Sequence, residues 1–238
     1  MCSGTLVDGG DDRAVIATAG HCLYDTSTRS FATNVMFIPG QDDGQSDISD
    51  FNCLNDPHGC IYPEFAVISN HYEKASYTRS FEYDYGFAVA RDNHPGKDVG
   101  PDKDTFGGGV YKALKPMGIS FGGMTLLQNG YLFGYPGSRD PMFMYTHGRV
   151  ETSPVTTAGY YVECSGLSAG ASGGPWTQSD PRTGEIVVSS VNSWGWTDGD
   201  LGMGAPGFET GGAECVYKAA VNANLNGGPK NIAATCPE

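Results

Sequence analysis

The clearest candidate nucleophile in this chain is Ser172, in the run Gly170-Ala171-Ser172-Gly173-Gly174-Pro175. A serine hydroxyl attacks poorly at neutral pH unless an imidazole takes its proton and a carboxylate orients that imidazole. The flanking glycines permit a tight turn, let a substrate come close to the backbone and can aim amide hydrogens at a developing oxyanion. Alone the string is weak evidence, because a Gly/Ser-rich turn is more often only a turn. The histidines and acids must decide.

The same string matches the G-x-S-x-G elbow of α/β-hydrolases, whose triad runs Ser, acid, His along the chain. Here His21, His58, His71, His94 and His147 all precede Ser172, so that order fails. The order His, Asp, Ser survives. His21 ends a small-residue stretch, Thr18-Ala19-Gly20-His21-Cys22, and Asp84 stands directly before Tyr85-Gly86-Phe87-Ala88-Val89. Glu82 and Asp92 compete with Asp84, but neither immediately precedes that Tyr-Gly-apolar pattern. Each piece has a plainer reading, since a strand-end histidine is usually structural and an acid before an apolar strand usually only starts it.

Taken together, five segments resemble the chymotrypsin-like serine protease family: Cys2-Ser3-Gly4-Thr5-Leu6-Val7, the two segments around His21 and Asp84, the Ser172 run, and Ser193-Trp194-Gly195. They stand in that family's order over nearly the whole chain. Gly134-Tyr135-Pro136-Gly137, followed by residues 144–150, is similar to the secreted glutamyl-endopeptidase-like branch. The resemblance implies an all-β fold of two six-stranded antiparallel β-barrels with a short C-terminal helix, and a first strand that is partly absent. An edge left bare by that absence is expected to destabilise the protein.

The resemblance also implies roles. His21 would be the general base and then the general acid, and Asp84 would fix its tautomer. The amides of Gly170 and Ser172 would form the oxyanion hole. Gly166, Leu167, Asn192, Ser193, Trp194 and Gly195 would face the substrate. Cys2 and Cys22 would form the bridge that staples the histidine loop, and Cys53 with Cys60 could close a short loop of its own. Cys164, Cys215 and Cys236 then leave an odd cysteine. The implied activity is that of a secreted serine endopeptidase working through an acyl-enzyme, with an inactive protease-like binding module as the alternative and an esterase as a third reading.

The chain departs from the family at Ala171, where members activated by N-terminal cleavage carry an acid that pairs with the new amino terminus. Gly166, six residues before the serine, replaces the acid of trypsin-like pockets, which argues against basic P1 residues. Asn192 stands where the glutamyl-specific branch places a histidine, and no histidine follows Ser172. Apolar or aromatic P1 residues are the remaining expectation.

Positioning these groups falls to strands. The chain has 35 glycines and 14 prolines among short apolar runs, a pattern of many strands joined by turns. Residues 15–19, 87–90, 131–135, 143–150, 160–164 and 186–194 are expected strands, and 214–225 a terminal helix. The Gly/Asp/Lys-rich stretch 96–109 suggests a connection, with residues 1–105 carrying His21 and Asp84 and 106–238 carrying Ser172 and the pocket. The acidic segment 40–60 reads as a solvated loop rather than a calcium site.

A net charge of -13 with only 14 basic residues argues against nucleic-acid partners. No apolar run is long enough for a membrane helix, and the first residues lack the features of a signal peptide. Seven cysteines without paired CxxC spacing point to disulfides and an oxidising compartment rather than to zinc. No metal or cofactor is expected, polypeptides are the expected partners, and a monomer is the expected state.

Overall fold

The computed structural model describes residues 1–10, 13–41, 58, 60–91, 114–139, 142–163, 165–195, 202–210, 212–227 and 230–237. The first sheet orders its strands Thr5–Val7, Arg13–Thr18, Gly86–Arg91, Phe65–Ser69 and Ile232–Ala234. The strand Arg13–Thr18 is buried along its whole length, and the twofold alternation of its side chains explains how. Val15 and Ala17 face a core shared with Phe87, Val188 and the terminal helix. Ala14 and Ile16 face a second core with Leu6, Leu23, Tyr24 and Ile68.

The later part of the chain forms two more sheets. One orders Gly118–Ile119, Ile186–Val191, Pro175–Ser179, Asn129–Gly134 and Met144–Arg149; the other orders Glu151–Thr152, Gly159–Val162, Met203–Pro206 and Trp194–Gly195. Between them lies a core of Leu132, Val150, Val162, Trp176, Met203 and Ala205.

The all-β expectation holds, with short helices inserted. Helices Gly20–Leu23, Asn70–Lys74 and Tyr77–Ser80 were not legible as such in the sequence. The terminal helix runs Ala213–Asn222 and stops where Ala223 turns extended. Its C-terminal carbonyls are met by the buried guanidinium of Arg13, which donates to Ala220 O at 3.2 Å and Ala223 O at 3.0 Å. That cation sits at the negative end of the helix dipole.

The first strand is not left with a bare edge. Met117 N donates to Leu6 O at 2.9 Å, and Asp8 N to Met117 O at 3.0 Å. The segment at Met117 therefore covers the side that Arg13–Thr18 does not. At the opposite margin Ile232–Ala234 runs parallel to Phe65–Ser69. A disulfide from Cys215 in the terminal helix to Cys236 fastens that strand, which resolves two of the three cysteines left open by the sequence. Cys53, Cys164, most of the acidic loop and the expected division at 105/106 lie outside the described residues. Among the described residues no helix is long and apolar enough to cross a membrane.

Candidate active site

Strand register brings the histidine to the aspartate. Thr18 pairs with Gly86, so the chain leaving one strand and the chain entering the other meet at the same end of the sheet. The chain then turns at once into the helix Gly20–Leu23, which carries His21. Gly20 lets the chain pass closely there: a Cβ would stand 3.1 Å from Asp84 Oδ1 and 3.2 Å from the Tyr72 ring, so both would have to shift by a few tenths of an ångström.

Asp84 is 1% exposed, a location that a carboxylate tolerates only when donors surround it. His21 N donates to Oδ1 at 2.7 Å, His21 Nδ1 to Oδ2 at 2.7 Å, and Ser193 Oγ to Oδ2 at 2.6 Å. A carboxylate that only accepts fixes the imidazole proton on Nδ1 and leaves Nε2 as the basic atom. The His21 side chain remains 37% exposed. Burial lowers the basicity of the ring, but the Asp84 charge and hydrogen bond together raise it further, so His21 titrates above the ordinary imidazole value.

The turn carrying Ser172 is tied to this pair through the first residues of the chain. Ser3 N donates to Ser172 O at 2.7 Å. Cys2 and Cys22 form a disulfide, and Cys22 Sγ lies 3.8 Å from Ser172 O. Among the described residues no hydrogen bond joins Ser172 Oγ to the His21 ring; the backbone and the disulfide hold the two segments side by side. Three amides of the turn have acceptors: Ala171 N donates to Ser168 O at 3.0 Å, Gly173 N to Asn192 O at 2.7 Å and Gly174 N to Ala171 O at 3.0 Å. Among the described residues the amides of Gly170 and Ser172 have none. Gly173 adopts φ +83°, and a Cβ there would fall 2.4 Å from Ser3 O.

The other expected site residues divide into two groups. Gly166, at φ +65° with open space around it, and Gly195 are exposed. Trp194 is buried between Tyr161, stacked at 5.8 Å, and Phe81 at 6.1 Å. Leu167 is buried in the core beside Ala171 and Trp176. Asn192 is fully buried and its amide is spent within the fold, donating to Phe133 O and Ala171 O at 2.8 Å each and accepting from Trp176 Nε1 at 2.7 Å.

No family model matches the chain. It is 31% identical over 172 residues to a glutamyl endopeptidase of Bacillus licheniformis, a match that covers 71% of this chain and 44% of the relative. The chain therefore spans less than half of that curated relative's length. A solved thermostable serine protease from an extremophilic microorganism superposes with a TM-score of 0.71 at 28% identity, covering 94% of this chain and 91% of that one. The chain is thus similar in sequence to a glutamyl endopeptidase and has the fold of chymotrypsin-like serine proteases. Two further structures share the fold: the protease Anisep of Arthrobacter nicotinovorans, with a TM-score of 0.71 at 21% identity over 93% of this chain and 89% of that one, and a Glu endopeptidase, with 0.64 at 18% over 93% and 86%.

In this chymotrypsin-like frame the sulfurs of Cys2 and Cys22 and a His21 ring nitrogen cluster within 4.8 Å. Joined as a disulfide, the sulfurs are not thiolate ligands. Cys60 is also disulfide-bonded. A cavity of about 1170 Å³ opens beside Cys2, with Leu6, Phe37, Tyr135 and Phe143 among its walls. Sequence reasoning named Ser193 but not the contact its hydroxyl makes, and had no role for the hydroxyl of Ser3. Ser193, read as facing the substrate, turns its side chain onto Asp84, and Ser3 lies between three segments of the site.

Proposed function

We propose that the protein is a secreted serine endopeptidase that cleaves peptide bonds through an acyl-enzyme on Ser172. Its Oγ attacks the scissile carbonyl carbon while its proton passes to His21 Nε2. The tetrahedral oxyanion is bound by the amides of Gly170 and Ser172, donors of a kind each worth about 3 kcal/mol. On collapse the C–N bond breaks and His21 gives the proton to the leaving amine. Water then attacks the ester carbon as His21 takes its proton; on collapse the C–Oγ bond breaks, His21 returns the proton to Ser172 Oγ, and the acyl part leaves as a carboxylic acid. Asp84 holds the ring throughout.

The observation that carries this reading is the buried Asp84 carboxylate, which orients His21 through both backbone and ring and leaves Nε2 as the basic atom. The bridges Cys2–Cys22 and Cys215–Cys236 support an oxidising, extracellular setting. For specificity we propose apolar P1 residues, because Gly166 supplies no acid for a basic side chain and residues 192–201 supply no cation for an acidic one. A fluorophosphonate probe should label the wild type and not Ser172→Ala, and the wild type should hydrolyse casein. An intact protein that neither reacts nor cleaves would be a binding module instead.

A further inference from the structure

A glycine-rich turn that must present two amides to an oxyanion needs something to hold it, and here the position before the serine offers no charge. Ala171 is fully buried and packs so closely on Gly134 that a Cβ on that glycine would lie 2.9 Å from the Ala171 Cβ. An ion pair at this point is therefore absent. Gly170 adopts φ +98°, a region from which a glycine departs at little cost. Its carbonyl is held by one side chain. Ser3 Oγ donates to Gly170 O at 2.9 Å and accepts from Tyr135 N at 2.8 Å, so the hydroxyl is fixed from both sides.

The main chain of Ser3 serves the same turn. Its N donates to Ser172 O, and its O accepts from Thr18 Oγ1 at 2.8 Å on the strand that leads to His21. From the opposite side Asn192 braces the turn through Ala171 O, Gly173 N and Gly174 O. We propose that Ser3 is a positioning residue: its hydroxyl anchors Gly170 O, and thereby keeps the amides of Gly170 and Ser172 convergent through neutral hydrogen bonds alone. This rests on the serine endopeptidase reading above and assigns what preorganises its oxyanion site.

The experiment compares Ser3→Ala and Ser3→Thr with wild type, normalised to sites labelled by fluorophosphonate and with folding checked by circular dichroism. Ser3→Ala should lower kcat about 10- to 100-fold, the scale of loss that a small misplacement of reacting groups brings. KM should stay within about threefold, because the contact acts on the transition state rather than on substrate binding. Affinity for a peptide boronate should fall in parallel with kcat, while Ser3→Thr, which keeps the hydroxyl, should stay near wild type. A folded Ser3→Ala enzyme with unchanged kcat per labelled site overturns the proposal, as does a loss confined to KM. If Ser3→Ala does not fold, Ser3→Gly, which keeps both main-chain bonds, takes its place, and loss of fold in both assigns Ser3 a purely structural role. A wild type inert to the probe defeats the endopeptidase reading itself, a result distinct from these.

Discussion

Asp84 accepts from two groups of His21 and from Ser193, and a neutral amide could not do the same work. Asp84→Asn can hold the ring only in the other tautomer, with the proton on Nε2, and should lower kcat by about 10⁴-fold at neutral pH. Steady-state kinetics on a peptide anilide would test this, and a loss under tenfold would mean that the carboxylate does not orient the base. The raised basicity of His21 sets the sign of the pH dependence. Its cation persists to higher pH than an ordinary imidazole's, and only the neutral ring can take the serine proton. The kcat/KM profile should therefore climb with pH through a midpoint above 6.5. A midpoint below the ordinary value would contradict the Asp84 contact. The contact of His21 with Asp84 was legible because each sits in a local string with its own signature. Ser3 was not, since its hydroxyl's partners stand 132 and 167 positions away and nothing near it marks them.

Strands were legible where short apolar runs stand out, as in Arg13–Thr18, Gly86–Arg91 and Ile186–Val191. Met203–Pro206, reading Met-Gly-Ala-Pro, has no such signal. It is a strand because Gly204 must lie under the Trp194 ring, where a Cβ would meet ring atoms at 2.0 Å, and that requirement comes from a residue on another strand. The helix at His21 was hidden for a related reason: four residues are too few for a periodic pattern. Tight backbone approach also sets the sensitivity of the serine turn. Gly173→Ala combines a positive φ with a collision against Ser3 O and Thr18 Oγ1, so it should cost at least about 3 kcal/mol. A denaturant midpoint within error of wild type would show that the turn can relax elsewhere.

At the level of the molecule, residues before 92 and after 231 share one sheet, and the strand Ile232–Ala234 reaches it through the bridged pair Cys215 and Cys236. The sequence alone left these cysteines unassigned, because three candidates allow several pairings and only the approach of helix and strand selects one. A closed segment of this size is worth about 3 kcal/mol through restriction of the unfolded chain. Cys215→Ala with Cys236→Ala should lower the unfolding free energy by that order, read from a denaturant titration. No change would mean that the strand is held by its backbone ladder alone.

That late strand has a consequence for how the protein is made. A polypeptide leaving the ribosome can pair the segments around His21 and Asp84 early, yet the margin beside Phe65–Ser69 stays open until residues near 234 have emerged. Parallel pairing over such a separation forms slowly. Nascent chains that have not reached these residues thus carry an unfinished sheet, and the scaffold beneath His21 and Asp84 is whole only once they have emerged.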